Sequence, residues 1–441
     1  MTKLYNNSIF WFRQDLRTHD NHGLHEAIAA SKQILPIFIF DSDILGKSPA
    51  HDKRLWFLLE SIKQLDAQLQ QSGSRLHCYY GKASHIIPQL IKQYDIQALY
   101  HNKSYGYGSV TRDRTVEQHC HDHEIDYHAC KDFLLVDPQE LPERKVFTPF
   151  SKWWYKCLEN NPPVLHNTPP KIASILKEPE HSIDSIAKWL WETNLCRWKA
   201  KDRSQLLHDI HLDHYESERN IPSLSGTSQL SPYIRFWLIS IREVYQHSKA
   251  YPSYTNELAR REFWQHIAHY HPQVRVQEFQ EKRRHIKRQH NEALFKKRCA
   301  GETGYPIVDA GMRQLQEENR MHGRVRMVVA SFLTKDMLMD RRLGEQRFAK
   351  YLLDYDTNVN IGNWQRSASV GADPKPLRIF NPILQSQKFD PQAQYILRYL
   401  PELQGQSLAA IHDPLTHSLS YHKPILDHYA NSKLAKQTYY N

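Results

Sequence analysis

Five short apolar runs separated by stretches of helical periodicity restrict the first ~130 residues to a parallel sheet flanked by helices. The runs are Ser8 to Phe12, Ile34 to Phe40, Leu76 to Tyr80, Ile96 to Tyr100 and Ile125 to Ala129. Between the second and third, Leu55, Leu58, Leu59, Ile62, Leu65 and Leu69 recur at 3-and-4 spacing and predict one face of a helix. The first strand is followed by FRQDLRTHDN rather than GxGxxG, so the dinucleotide fingerprint is absent.

Residues 131–202 read differently. Pro138, Pro142, Pro149, Pro162, Pro163, Pro169, Pro170 and Pro179 interrupt every helical pattern, which predicts a long connector with one helix near Lys152 to Leu158. From residue 203 to 441 the periodicity is helical throughout. The expected division is therefore an α/β domain over 1–130, a connector over 131–202 and an all-helical domain over 203–441.

The formal charge is +10, with 58 Lys and Arg against 48 Asp and Glu, and such a surplus favours polyanionic partners, nucleic acid first. Two basic clusters, Glu281 to His290 and Lys296 to Arg298, lie in the helical half; the bland reading of either is a solvated helix face, but their place in the half that carries the Asp354 to Asp390 segment tips the balance towards a nucleic-acid partner. The 6 Cys are scattered, with no CxxC, as expected of reduced thiols rather than a disulfide framework. No apolar run reaches transmembrane length and the N-terminus lacks the signal-peptide pattern, so a cytoplasmic protein without membrane contact is expected. His119 and His123 share a helix spacing used by zinc pairs, but with 27 His in the chain the reading is that no metal is bound.

The densest concentration of unusual residues runs from Asp354 to Asp390. It includes Asp354, Asp356, Asn358, Asn360, Gly362, Asn363 and Trp364 and then turns into RIFNP. Asn and Gly weaken both helix and strand, so such a run shapes a site. Upstream, YESERNIP (Tyr215 to Pro222) precedes GTSQLSPYIRFW (Gly226 to Trp237). The latter sets Thr227, Ser228 and Ser231 at a Pro-marked helix start, where free amides suit an anion.

Together with WFRQDLRTHDN (Trp11 to Asn21), NELARREFWQHIAHYHP (Asn256 to Pro272), TGYPIVDAGMRQL (Thr303 to Leu315) and MHGRVRMVVASFLTKDML (Met321 to Leu338), these segments resemble the DNA photolyase/cryptochrome family along almost the whole chain. They come closest to its class I cyclobutane pyrimidine dimer photolyases. The resemblance implies an N-terminal Rossmann-like α/β antenna domain, a C-terminal all-helical domain holding FAD, and damaged DNA as partner of a monomeric protein. It implies FAD contacts from Tyr215, Thr227, Ser228, Gln229, Leu230, Ser231, Tyr254, Glu257, Arg261, Arg324, Arg326, Asp354, Asp356 and Asn360. It implies DNA contacts from Arg219, Arg260, Arg324 and Arg366. Glu257 would touch the lesion, Asn360 would face flavin N5, Trp364 would be the flavin-proximal electron donor, and Met327 fits the dimer-repairing class.

Departures from the family pattern are equally specific. Arg260, Arg288, Arg320, Arg341 and Arg366 stand where class I photolyases usually have Trp, Gln229 stands where they have Arg, and Gly323 replaces an Asn. By resemblance, Arg260 and Arg366 replace the two indoles that hold the dimer, and Arg288 and Arg341 the two outer members of the photoreduction chain. A guanidinium cannot be oxidised as an indole can, so the electron route stops at Trp364. Buried guanidiniums also need an anionic partner, for which DNA backbone is the expected candidate. Gly108 and Ser109 replace the Asn-Glu pair used with folate, so a folate antenna is not supported and the antenna pigment is left open. The expected activity is blue-light repair of cyclobutane dimers; a cryptochrome-like photosensor and a non-catalytic flavin-containing DNA-binding protein are the alternatives.

Overall fold

A computed structural model describes residues 3–45, 53–179, 183, 201–372 and 377–440. Cys196 and most of the connector's last stretch lie outside the described residues. The chain forms two compact units, one made of residues 1–140, 155–210 and 230–250 and the other of residues 141–154, 211–229 and 251–441.

The first unit is built on five parallel strands, β1 (Tyr5–Phe12), β2 (Ser31–Phe40), β3 (His77–Tyr80), β4 (Ala98–Asn102) and β5 (Asp126–Cys130), in the order β3-β2-β1-β4-β5. All five apolar runs are strands or overlap one. Helices α1 (His22–Ala30), α2 (Lys53–Gln71), α3 (Ala83–Gln93) and α4 (Tyr107–Asp122) alternate with them. Ile9, Trp11, Leu35, Ile37 and Leu99 pack with Ile87 and Leu90 of α3 into one core. On α2, Leu55, Leu59, Ile62, Leu65 and Leu69 are buried as expected, but Phe57 takes the place given to Leu58. Phe57 meets Tyr233 and Phe236 edge-on and tilted, at 5.4 and 4.9 Å between ring centroids, which rewards turning the larger ring inward.

Strand order reverses between β1 and β4, the place where open α/β sheets usually take a ligand. Here the crevice is filled by the chain's own polar groups. Asn102 Nδ2 donates to Asp15 Oδ2 (2.6 Å) and to Asn21 Oδ1 (2.7 Å), while its Oδ1 accepts from the Gly23 amide (3.0 Å). Arg13 pairs with Asp113 at 2.5 Å and, with Arg112, covers the Trp11 ring. Asp132, wholly buried, holds Arg17 and Arg242 at 2.6 Å each, and Arg242 also reaches Asp20 at 2.9 Å.

Within the second unit a helical bundle forms around Val308, Met312, Val325, Val329, Phe332 and Trp364. Its main helices are α5 (Pro252–Tyr270), α6 (Glu292–Ala300), α7 (Pro306–Glu318), α8 (Gly323–Ser331), α9 (Arg341–Tyr351), α10 (Thr357–Ser367), α11 (Pro382–Phe389) and α12 (His428–Tyr440). The connector helix expected near 152–158 spans Phe147–Asn160.

Candidate flavin and nucleic-acid site

Helix α5 carries Tyr254, Glu257, Arg261 and Gln265 at 3-and-4 spacing, so one stripe presents all four. Around its first turns lies a group rich in guanidiniums. Arg219 Nη2 donates to Glu257 Oε1 at 2.7 Å, and its guanidinium lies 5.0 Å from the Tyr215 ring centroid. Burial alone would lower Arg219, but the Glu257 charge more than offsets it and the net shift is upward. Tyr215 meets Tyr254 edge-on at 5.0 Å, and the Tyr254 hydroxyl shares a 2.8 Å hydrogen bond with Ser228 Oγ. Arg324 donates to Asn220 Oδ1 at 2.6 Å and lies over Phe389. Its Nε is buried without an acceptor. Burial, reinforced by Arg219, lowers the Arg324 guanidinium.

A second group lies about 12 Å further along α5, the length of eight helical residues. Asp356 caps α10, accepting from the Val359 amide at 3.0 Å, and both its oxygens accept from Gln265 Nε2 at 3.0 Å. Gln265 in turn accepts from Asn358 Nδ2 at 2.7 Å. Arg326 grips both oxygens of Asp354, at 2.9 and 3.1 Å. Asn360, one turn after Asp356, donates to the Glu345 carbonyl at 3.3 Å. Four residues on, Trp364 is 2 % exposed and packs against Phe348 at 5.0 Å. A Cβ on Gly344 would come within 2.0 Å of the Trp364 ring, and one on Gly362 within 2.3 Å of Trp264. Glycine at these two positions lets α9 and α5 approach α10 closely enough to hold the indoles.

The remaining candidates fall as follows. Met327 shares a face of α8 with Arg324 and is half-buried, as are Arg261 and Arg366. Thr227 is half-buried, Gln229 and Ser231 are exposed, and Leu230 is buried. Ser231 opens a helix of only five residues. Gln229 adopts φ 54° and its Oε1 accepts from Arg320 Nη1 at 3.1 Å. Arg320 thus brings a cation to this turn.

Two sequence expectations need correction. Arg260, Arg288 and Arg341, three of the arginines that the resemblance sets against indoles, have carboxylate partners inside the protein and do not depend on DNA for charge balance. Arg260 lies 3.9 Å from Glu257 Oε2 and 3.9 Å from the Phe147 ring centroid. Arg341, with no exposed surface, pairs with Glu345 and with Glu278 (3.5 Å), and Glu278 also meets Arg342 (3.4 Å) and Arg288 (3.8 Å). Burial pushes the Glu345 carboxyl up to about 7 against the pull of Arg341. The second correction concerns the basic clusters, which are not uniformly solvated: Arg283 is 9 % exposed and Arg298 is fully buried. Sequence reasoning missed Glu278, Glu345, Phe147 and Gln265; only Gln265 had a local signal, its place four residues after Arg261. His119 and His123 do stack at 4.1 Å, but among the described residues no set of three metal-ligating side chains assembles.

The family model described as DNA photolyase matches residues 8–171, and that described as the FAD binding domain of DNA photolyase matches residues 254–441. The deoxyribodipyrimidine photo-lyase of Alkalihalophilus pseudofirmus is 34% identical over 463 residues, covering 96% of each chain. The chain belongs to the DNA photolyase family. Two solved photolyases share its fold at a TM-score of 0.89. One is a bacterial class III photolyase from Agrobacterium tumefaciens (30% identity, covering 100% of this chain and 98% of that one). The other is an archaeal photolyase from Sulfolobus tokodaii with two FAD molecules (32% identity, 99% and 100% covered).

The groups of this photolyase-family cleft fit FAD. Guanidiniums outnumber carboxylates among the residues named, which suits a diphosphate. The buried Nε1 atoms of Trp264 and Trp364 and Nε of Arg324 have no acceptor within the protein, which leaves donors for a bound group. Among the described residues no helix is long and apolar enough to cross a membrane.

Proposed function

We propose that this protein repairs cyclobutane pyrimidine dimers in DNA in blue light, with FAD held in the helical unit. The observation that carries the proposal is the pairing on one helix, α5, of a guanidinium-rich group around Glu257 with a group around Asp356, Asn360 and Trp364. When bound, reduced and light-excited FAD supplies the electron that opens the dimer and takes it back afterwards. Arg326, Asp354 and Asp356 would orient the cofactor, with Tyr215, Thr227, Ser228, Gln229, Leu230, Ser231, Tyr254 and Arg261 completing its contacts. Asn360, anchored on the Glu345 carbonyl, would present its amide to flavin N5, and Trp364 would be the near donor. Arg219, Arg260, Arg324 and Arg366 would hold the phosphates beside a flipped-out dinucleotide, with Glu257 and Met327 against the lesion.

We take residues 1–130 as the antenna-type domain, 131–202 as connector and 203–441 as the FAD- and DNA-binding domain of a cytoplasmic monomer. The Glu278 contacts of Arg288 and Arg341 favour a second reading, a photosensor or flavin-containing DNA-binding protein, because they hold cations where a repair enzyme of this type keeps oxidisable rings. Chemically reduced protein illuminated on a thymine-dimer oligonucleotide separates the readings. Recovery of the base absorbance lost on dimerisation supports repair; DNA retained on a gel without recovery supports the second reading.

A further inference from the structure

Arg298 is a buried charge of the helical unit with no carboxylate partner among the described residues. It sits near the end of α6 with no exposed surface. Its Nη2 donates to the Val329 carbonyl at 3.1 Å, while its Nε and Nη1 are buried without an oxygen or nitrogen acceptor and the Cys299 side chain is its only other polar neighbour named among the described residues. The nearest like charge is Arg347 on α9, which donates through Nη2 to the Cys299 carbonyl at 3.3 Å and lies over the Tyr351 ring at 4.1 Å. The Arg347 Nε is also buried without an acceptor. Among the described residues no carboxylate forms an ion pair with either arginine, although most other buried arginines of the chain have one. Burial, with Arg347 adding to it, pulls the Arg298 guanidinium down to about 10.

A buried guanidinium without a counter-charge is costly, and two adjacent ones more so. Buried N–H donors without an oxygen acceptor on two arginines that both reach the end of α6 are also what an oxyanion can use, each donor to a separate oxygen. We propose that Arg298 and Arg347 form a binding site for a small phosphate-type oxyanion, with half-buried Arg347 at its mouth. Lys297 on the same helix adds a positive field that favours anion entry, whereas Lys296 is paired with Glu292 at 2.7 Å. Free phosphate and a DNA backbone phosphate offer the same chemistry, so either can fill the site. Its residues are separate from those assigned to FAD or to the lesion.

The test is thermal unfolding of the FAD-loaded full chain in inorganic phosphate against chloride at matched ionic strength, and separately with undamaged duplex DNA. Phosphate at several times its dissociation constant is expected to raise Tm by roughly 2 °C. Arg347→Gln should abolish that rise. Arg298→Met should abolish it too while raising Tm in chloride, since a buried charge is replaced by an apolar chain of similar length. A rise with duplex alone, lost in Arg347→Gln, identifies the backbone phosphate as the source. Equal responses of wild type and Arg347→Gln to both ligands, or a phosphate effect no larger than that of chloride, would overturn the proposal whether or not the protein repairs DNA.

Discussion

The crevice at the reversal point of the sheet and the cleft along α5 both collect arginines, yet they treat them differently. In the crevice every guanidinium has a carboxylate: Arg13 has Asp113, Arg17 has Asp132, and Arg242 has both Asp132 and Asp20. Its amide groups are likewise paired with each other through Asn102 and Asn21. In the cleft, Arg324 has only a neutral amide and a ring, and the indole N–H groups of Trp264 and Trp364 have nothing. Nε of Arg13 and of Arg17 is also buried without an acceptor, so the contrast lies in charge rather than in donors: a network whose charges are saturated holds the fold, whereas a cation without a counter-charge is available to something else.

The comparison breaks most visibly at Asp132. Asp132→Ala leaves Arg17 buried without a carboxylate and Arg242 with Asp20 alone, and should cost about 3–5 kcal/mol, read from the denaturant midpoint. The same carboxyl sets a pH dependence. Arg17 and Arg242 hold it below the usual aspartate value, despite burial. Its contribution is therefore complete above the unfolded-state pKa and is lost only as pH falls through the lower folded value. Wild type should lose stability on acidification through that window, and Asp132→Ala should not show this loss.

On the cleft side, Arg326→Ala removes a bidentate partner of Asp354 and should weaken FAD retention by roughly 10- to 100-fold, measured by flavin fluorescence titration. Equal retention would mean that the Asp354 pair belongs to the saturated kind. Arg324→Ala should leave the unfolding midpoint almost unchanged, since no buried carboxylate is orphaned. It should nevertheless lower the slope of log affinity for DNA against log salt by about 1. The smallest effect is expected from Arg320→Ala. Its hydrogen bond to Gln229 is exposed, so FAD affinity should fall by about 1 kcal/mol or less; a much larger loss would make Arg320 a principal clamp rather than an accessory.

What was legible in the sequence was whatever leaves a local trace. The strands could be read because a buried parallel strand is an apolar run, although β4 lies two residues later than the run at Ile96 and β2 begins three earlier. The stripe of Tyr254, Glu257 and Arg261 could be read because helical spacing is regular, and Asp356 because it precedes a helix it caps. Glu278, Glu345 and Phe147 could not, since each meets its arginine across a distance that no pattern records or from a place that looks ordinary on its own helix. The burial of Arg298 was hidden for the same reason: KKR reads as surface, and only the arrival of α8 and α9 turns one of the three inward.

Glu278 has a consequence for how this chain can change. One carboxylate serves Arg288, Arg341 and Arg342, so the effect of replacing any of the three depends on which others remain. Placing a single indole at position 341 would leave the acid with two partners, and placing one at 288 as well would leave it with one, exposed at the edge of the cluster. Losing Glu278 first would leave Arg288 without a carboxylate and reduce Arg341 and Arg342 to Glu345 and Asp340. The accessible order of substitutions is thus directional: each arginine can be given up alone, while loss of the acid they share is felt by all three.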